Sequence, residues 1–463
     1  MALQLWLPLD GTLENKGCAD VTVVNNGATI NAVGKIGSCY SFDGNDDYIM
    51  GEPAFLNNNT QEWSYACWFK PVISHPGCLF SNRTAVSYTG ISLFYSNGNI
   101  LFDDGARWQF TPSKAISINN WNHLVFTRSQ SGKKFYLNGE LINSTATIGT
   151  PTIANSTKFS IGMSQSNSTT VSDNRLNGQL NDIRVYDHCL SAAEVKEISQ
   201  GLILHYKLDN IIDNIRIIDS SGYNHHGSIK NTVEIETDTT RYLKSINLPN
   251  GNSAINCGRG GMVTDSITYS IWINYSTWGN PVSCTEGGGW NFETNPVQLA
   301  INIESIGYLH AVSSFQPTAN EWHMLTGVYD RLNQKAYIYI DGQMTGETNA
   351  SSPNLIHYNG SNVIWLGAEA SGSATAFASN GMIGKISDFR IYCTALSAED
   401  ILDLYHTSAK IDKTGKVHTF EFVENEGTKI TKTGITEWIE LIEETGNAKF
   451  NSQYISANDF IEK

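Results

Sequence analysis

Two tryptophans bracket a glycine-rich run, STWGNPVSCTEGGGWNF, at residues 276–292. Trp278 and Trp290 stand there beside Asn280, Glu286 and Asn291. A flat indole face can stack on the C–H face of a sugar, and amides or carboxylates at its rim can bind the hydroxyls. Trp108 lies in another loop-like stretch. These six residues are the candidate carbohydrate-binding set. The competing use for such tryptophans is packing, either between domains or beneath long loops.

Cleaving a glycosidic bond asks for two carboxyl groups, one of which protonates the leaving oxygen. EIETD at residues 234–238 alternates Glu234, Glu236 and Asp238, which would point to one side of a strand. It reads better as an exposed polar strand. No G-x-S-x-G elbow and no H-E-x-x-H pair occurs. His225 and His226 in SGYNHHGS could ligate a metal, but no partner ligand accompanies them, so a turn with solvated imidazoles is expected. Asp43, Asp46 and Asp47 read as a hairpin turn with a solvated face. No catalytic residue is assigned, and the chain reads as a non-enzyme.

The elements that must carry these residues are written twice. NGQLNDIRVYDHCLSAAEV at 177–195 returns as IGKISDFRIYCTALSAEDI at 383–401. LWLPLDG at 5–11 answers to LHYKLDN at 204–210, and WSYACWF at 63–69 to ITYSIWI at 267–273. NNWNHLVFT at 119–127 answers to NEWHMLTGV at 320–328, and KKFYLNGELI at 133–142 to AYIYIDGQMT at 336–345. Five blocks in one order mean a tandem duplication. The repeat also sorts the tryptophans. Trp68 pairs with Trp272 and Trp121 with Trp322, which predicts core positions, whereas Trp108, Trp278 and Trp290 have no partner.

Within each copy the hydrophobic period is two. Ile183 and Val185 alternate with Asp182, Arg184 and Tyr186, and Ala336, Ile338 and Ile340 with Tyr337 and Tyr339. Such alternation predicts half-buried strands, and LNG and IDG are hairpin-turn signals. A sandwich or jelly roll follows. Ser191 with Glu194 forms a capping-box pattern for a helix after the last strand, and Ser397 with Asp400 repeats it.

Composition narrows the partners. Charged residues are 16% of the 463, below the usual share of about 25%, and the net charge is −15. No Lys/Arg cluster is present to meet phosphates, so neither nucleic acid nor an anionic membrane is an expected partner. No apolar run is long enough for membrane insertion, and MALQLWLPLDG lacks the marks of a signal peptide. The eight cysteines show no C-x-x-C spacing and do not match between copies, which predicts reduced thiols made in a cytoplasm.

The blocks LPLDG, SFDGNDDYI at 41–49, the strand around Trp68, WNHLVFT, KKFYLNGELI and LNGQLNDIRVYDHCLSAAEV resemble laminin-G-like domains of the concanavalin A-like lectin/glucanase superfamily. The second copy matches all but SFDGNDDYI, which has become NLPNGNSAIN, and the resemblance covers about residues 1–408. It implies an all-β chain of two tandem concanavalin A-like jelly-roll sandwiches, at 1–201 and 202–408, with a small β-rich C-terminal domain at 409–463. Glucanases of this fold carry E-x-D-x-E on one strand. EIETD lacks the final Glu and has no counterpart in the first copy. Laminin-G-like domains often hold calcium near a sheet rim, which implies structural Ca²⁺ at Asp10 with Asp182 and at Asp209 with Asp388. The alternative is that each Asp caps a turn or pairs with Arg184 or Arg390.

In the last segment, AKIDKTGKVHTFEFVE and ISANDFIE resemble closing segments of some phage and prophage virion proteins. The expected function is a non-catalytic virion component, a tail or head fibre or an adhesin. It would be made in the host cytoplasm and display lectin-like domains for weak binding to cell-surface or mucosal glycans. Its protein partners would be other virion subunits, met through the C-terminal segment, and copies of itself in a homo-oligomer. A structural decoration or spacer without a glycan ligand is the second reading, and a glycoside hydrolase with an unrecognised site the third.

Overall fold

The computed structural model describes residues 3–456 except 32, 53–61, 73–76, 83–90, 97, 104–107, 111–115, 148–157, 165–173, 210, 214, 238–243, 286, 294–295, 372–376, 378–380, 410–419, 423–428, 433–437, 443–446 and 451–452. The chain divides into two compact units. One is Met1–Leu202 with Met262–Asp265, and the other is Ile203–Gly261 with Ser266–Lys463. The four-residue excursion of the first unit into the second copy's sequence is not foreseen by a simple tandem reading.

In the first unit two antiparallel sheets face each other. One runs Glu140–Thr145, Gly132–Leu137, Asn122–Ser129, Trp63–Pro71, Asn177–Tyr186, Cys39–Asp43, Thr29–Asn31, with Leu3–Leu7 also on Asn177–Tyr186. The other runs Trp108–Phe110, Asn99–Asp103, Ser92–Ser96, Gly77–Ser81, Phe159–Ile161, Tyr48–Glu52, Thr22–Asn26. Alternation sends one side of each strand inward. Phe126 of the first sheet stacks on Phe102 of the second at 4.1 Å, and Trp63 tilts onto both at 5.0 and 5.8 Å.

The second unit repeats the plan. Ile267–Thr277 lies between Ile383–Tyr392 and His323–Asp330, as Trp63–Pro71 lies between Asn177–Tyr186 and Asn122–Ser129. The duplication extends to single hydrogen bonds. Ser64 Oγ donates to the His188 carbonyl at 2.8 Å and accepts from the Leu190 N–H at 2.9 Å. Thr268 Oγ1 does the same with Thr394 and Leu396, at 2.8 and 2.9 Å. Asn138 Oδ1 accepts from the His123 N–H and Asp341 Oδ1 from the Met324 N–H, both at 2.8 Å.

Each last strand leads into a helix, Ala192–Gln200 or Ala398–Ala409. Both predicted caps form. Ser191 Oγ accepts from the Glu194 N–H at 3.2 Å and Ser397 Oγ from the Asp400 N–H at 3.1 Å. Gly201 ends the first helix at φ 66, a left-handed conformation that suits glycine, and strand Leu202–Tyr206 begins at the next residue. In the C-terminal segment five short strands, from Phe420–Phe422 to Gln453–Ser456, form an antiparallel meander.

The eight thiols form no disulfide. Burial pushes Cys39 and Cys67 up to about 12, which keeps them protonated and unreactive near neutrality. Trp68 and Trp272 are buried as predicted, but Trp121 and Trp322 are only half-buried.

Candidate functional site

The six carbohydrate candidates do not converge. Trp290 is not a loop platform. It opens strand Trp290–Glu293, is 1% exposed and stacks on Tyr269 at 4.1 Å. Its Nε1 donates to the Tyr358 hydroxyl at 3.1 Å. The alternation of WNFE turns Trp290 and Phe292 inward, with Phe292 4.9 Å from the same Tyr269 ring. In the first copy Ser81 stands opposite Ser92 as Ser283 stands opposite Asn291, which puts the aliphatic Ile91 where the second copy has Trp290, a correspondence that block matching of tryptophans does not find.

Asn291 is buried in the same strand, opposite Ser283 and Ala300. Asn280 is also buried and bridges to Gly381. Both therefore depart from the exposed amides expected. Glu286 lies outside the described residues. Trp108 lies in a strand paired with Asn99–Asp103, and its side chain lies outside the described residues. Trp278 alone keeps a half-exposed ring, set edge-on to Tyr275 at 4.3 Å.

The aspartates proposed for calcium are committed elsewhere. Asp182 sits at a break in strand register with φ 51, and Asp388 at the matching break with φ 48. Asp182 accepts from Trp6 Nε1 at 2.7 Å and from Arg184 at 3.1–3.2 Å. Asp388 hydrogen-bonds His205 Nε2 at 2.8 Å and takes Arg390 Nε and Nη2 at 2.8 and 3.0 Å. Burial opposes ionisation of Asp388, yet the Arg390 guanidinium and the His205 ring outweigh it and hold the carboxyl well below the usual range.

A calcium ion wants six to eight oxygens. Here the buried Asp182 and the half-buried Asp388 each already face a fixed cation. Asp209 is exposed, and Asp10 offers one buried, unpartnered oxygen. The two pairs do not fit the ion. The same-face pairing with Arg184 and Arg390 is what forms, and the ring donors Trp6 and His205 are its unforeseen members.

The other polar candidates are structural as well. Asp43 Oδ1 accepts from the Asn45 N–H at 2.8 Å, which lowers its pKa, and Asp47 Oδ2 accepts from the Asp43 N–H at 2.9 Å. Their ligand atoms and those of Asp46 lie within 4.8 Å of one another, as the turn requires. EIETD contributes to an edge strand, where Glu236 pairs with Lys385 at 2.9 Å. SGYNHHGS folds over the buried Asp219, which accepts from the backbone N–H groups of His205, Ser221 and His225.

A site the sequence did not announce lies on the first unit. A groove of about 460 Å³ opens over the edge pair Thr22–Asn26 and Tyr48–Glu52. The register sets Thr22 opposite Glu52, Val24 opposite Met50 and Asn26 opposite Tyr48. Ile49, pointing the other way, is fully buried in the core. The groove therefore has an aromatic and apolar floor from Tyr48, Met50 and Val24. Asn26 and Thr22 supply an amide and a hydroxyl. Lys158 Nζ meets Glu52 Oε2 at 2.9 Å at one end. A Cβ on Gly51 would come 2.0 Å from the Phe159 ring, so glycine is required for the strands to close here. Glu52 is the one carboxylate lining the groove among the described residues.

Across neighbouring strands the register lines up Met50, Ser160, Ser81, Ser92 and Asp103, a row with three serines and one acid.

A family model of the concanavalin A-like lectin/glucanases superfamily matches residues 43–196 and again residues 249–402. No curated protein matches the chain. Among solved structures, domain 4 of AbnA, a GH43 extracellular arabinanase from Geobacillus stearothermophilus, in complex with arabinotriose, is 18% identical over 45% of this chain and 98% of that chain, with a TM-score of 0.36. Domains LG4-5 of the mouse laminin alpha1 chain are 12% identical over 80% and 94%, with a TM-score of 0.28. The botulinum neurotoxin serotype D binding domain is 12% identical over 86% and 98%, with a TM-score of 0.36.

Proposed function

Because the chain belongs to the concanavalin A-like lectin/glucanases superfamily through two tandem laminin-G-like domains, we infer that it is a non-catalytic glycan-binding protein. The observation that carries this reading is the groove beside Tyr48, where an aromatic ring, an amide, a hydroxyl and one ion pair meet. That mixture suits a pyranose, whose C–H face is apolar and whose rim is polar. Hydrolysis would ask for a second carboxyl group about 5–10 Å from the first across the bond to be cut. Substituting Tyr48 with alanine is expected to weaken glycan affinity about 3- to 10-fold without altering the melting temperature. Glycan-array screening followed by titration calorimetry reads this. Unchanged affinity in the variant moves the site elsewhere, with Trp278→Ala the next substitution to test, and an array with no binding favours the spacer reading.

The same proposal places the protein on a virion, as a tail or head fibre or adhesin, where many copies turn weak single-site binding into avidity. The support is the closing segment, whose sequence resembles virion proteins and whose five strands form a meander. Other virion subunits are the proposed partners of that meander. Truncation after residue 408 is expected to leave glycan binding intact and abolish incorporation into particles. A truncated chain that still joins particles puts the anchor in the sandwiches.

A further inference from the structure

We propose that His323 is an acid-released latch on the loop 313–320 of the second sandwich: protonation of its ring frees the Thr318 N–H and loosens the loop around it. The proposal goes beyond the glycan-binding reading and does not depend on it. The duplication supplies the comparison. In both copies the loop ends near an asparagine in the left-handed region, Asn119 at φ 60 and Asn320 at φ 63. The Asn119 N–H donates to the Pro71 carbonyl and the Asn320 N–H to the Tyr275 carbonyl, both at 2.8 Å. Two residues earlier the copies differ. In the first, Asn122 Oδ1 accepts from the Ser117 N–H at 3.0 Å. In the second, His323 Nε2 accepts from the Thr318 N–H at 3.1 Å. The neighbouring hairpin turn differs in the same sense. Neutral Asn138 stands where the second copy has Asp341, whose Oδ2 meets His323 Nδ1 at 2.7 Å. Two amides have been exchanged for a histidine and a carboxylate at the same two positions.

The partners fix the tautomer. An ionised carboxylate only accepts, so Nδ1 carries the ring proton and Nε2 offers its lone pair to Thr318. A second proton, on Nε2, turns that acceptor into a donor facing another donor, and the hydrogen bond is lost. The same proton strengthens the pairing with Asp341, so the ring keeps its place and only the loop is released. Among the described residues Asp341 is the charged group in contact with the ring. Ile273 across the strand pair and the edge-on Phe315 ring, 6.0 Å away, are uncharged. Tyr275 gives its hydroxyl to the Pro317 carbonyl, and Glu321 is exposed. The loop has other ties at its ends, where the Ser314 N–H donates to the Thr345 carbonyl at 2.8 Å and Asn320 holds Tyr275. Release is therefore centred on Thr318. The amide of Asn122 does not titrate, so the same loop in the first copy stays closed.

The test is hydrogen–deuterium exchange on the full chain, read in the peptides that contain Thr318 and Ser117 and corrected for the intrinsic pH dependence of amide exchange. Protection at Thr318 is expected to fall about 5- to 10-fold between about pH 8 and about pH 5, the span in which histidine ordinarily changes charge, as one hydrogen bond is lost. Protection at Ser117 is expected to stay level. His323→Asn, which installs the residue of the first copy, is expected to keep Thr318 protected across the whole range. Should that variant fail to fold, His323→Asn combined with Asp341→Asn, the complete pair of the first copy, carries the same comparison. Level protection at Thr318 in the unaltered chain, an equal fall at Ser117, or a fall that survives in a folded variant overturns the latch.

Discussion

Replacing Asp388 with alanine is expected to destabilise the second sandwich by about 2–3 kcal/mol, below the roughly 3–5 kcal/mol for breaking a fully buried pair because the Asp388 and Arg390 side chains stay 13% and 22% exposed. The carboxylate holds Arg390 through Nε and Nη2 and bonds the His205 ring, joining the paired strands Ile383–Tyr392 and Leu202–Tyr206. Alanine leaves a guanidinium that is only partly exposed without this counter-charge. The effect should also depend on pH with a definite sign. The folded-state pKa of Asp388 is depressed, so its contribution is complete above the unfolded value of about 3.9 and drains away as pH falls towards the folded value. The gap between wild type and Asp388→Asn is therefore expected to be widest near neutrality and to narrow below about pH 4. Chemical denaturation at a series of pH values measures it. A loss under about 1 kcal/mol at neutral pH, typical of an exposed pair, would mean that the cluster is dispensable.

The second large effect is expected at Trp290. Trp290→Ala should cost about 3–5 kcal/mol, as for other fully buried large aromatics. Its indole lies on Tyr269 between the sheets, and its N–H is satisfied by Tyr358. Deletion leaves a cavity and strips the Tyr358 hydroxyl of its donor. Trp278→Ala, at a half-exposed ring, should cost less. Thermal unfolding of the two variants beside their glycan affinities separates packing from recognition. A Trp290→Ala protein that melts like wild type but loses sugar binding would restore Trp290 to the ligand surface.

The contrast between these residues shows what the sequence can carry. Repetition and period two were enough for the sandwiches, because a duplicated strand must bury the same side in both copies. The caps at Ser191 and Ser397 were legible because capping is local: hydroxyl and carboxylate sit three residues apart. Trp290 was misread because its counterpart in the first copy is the aliphatic Ile91, and only the register of Ser81 with Ser92 and of Ser283 with Asn291 reveals the equivalence. The aspartates were misread as metal ligands because their cations, Arg184 and Arg390, are two residues along the chain and reach them only at the register break. The Tyr48 groove was not legible at all. It arises from cross-strand register between Thr22–Asn26 and Tyr48–Glu52, a contact distant in sequence.

Binding without cleavage is the claim on which the functional account stands, and one incubation examines both halves. The full chain is held with an oligosaccharide identified on the array, contact at Tyr48 is followed by saturation-transfer NMR, and the sugar is recovered for mass spectrometry. The account predicts saturation transfer that Tyr48→Ala reduces, with the oligosaccharide recovered at its original mass. Shortened products accumulating with time, absent from a protein-free control, would contradict it.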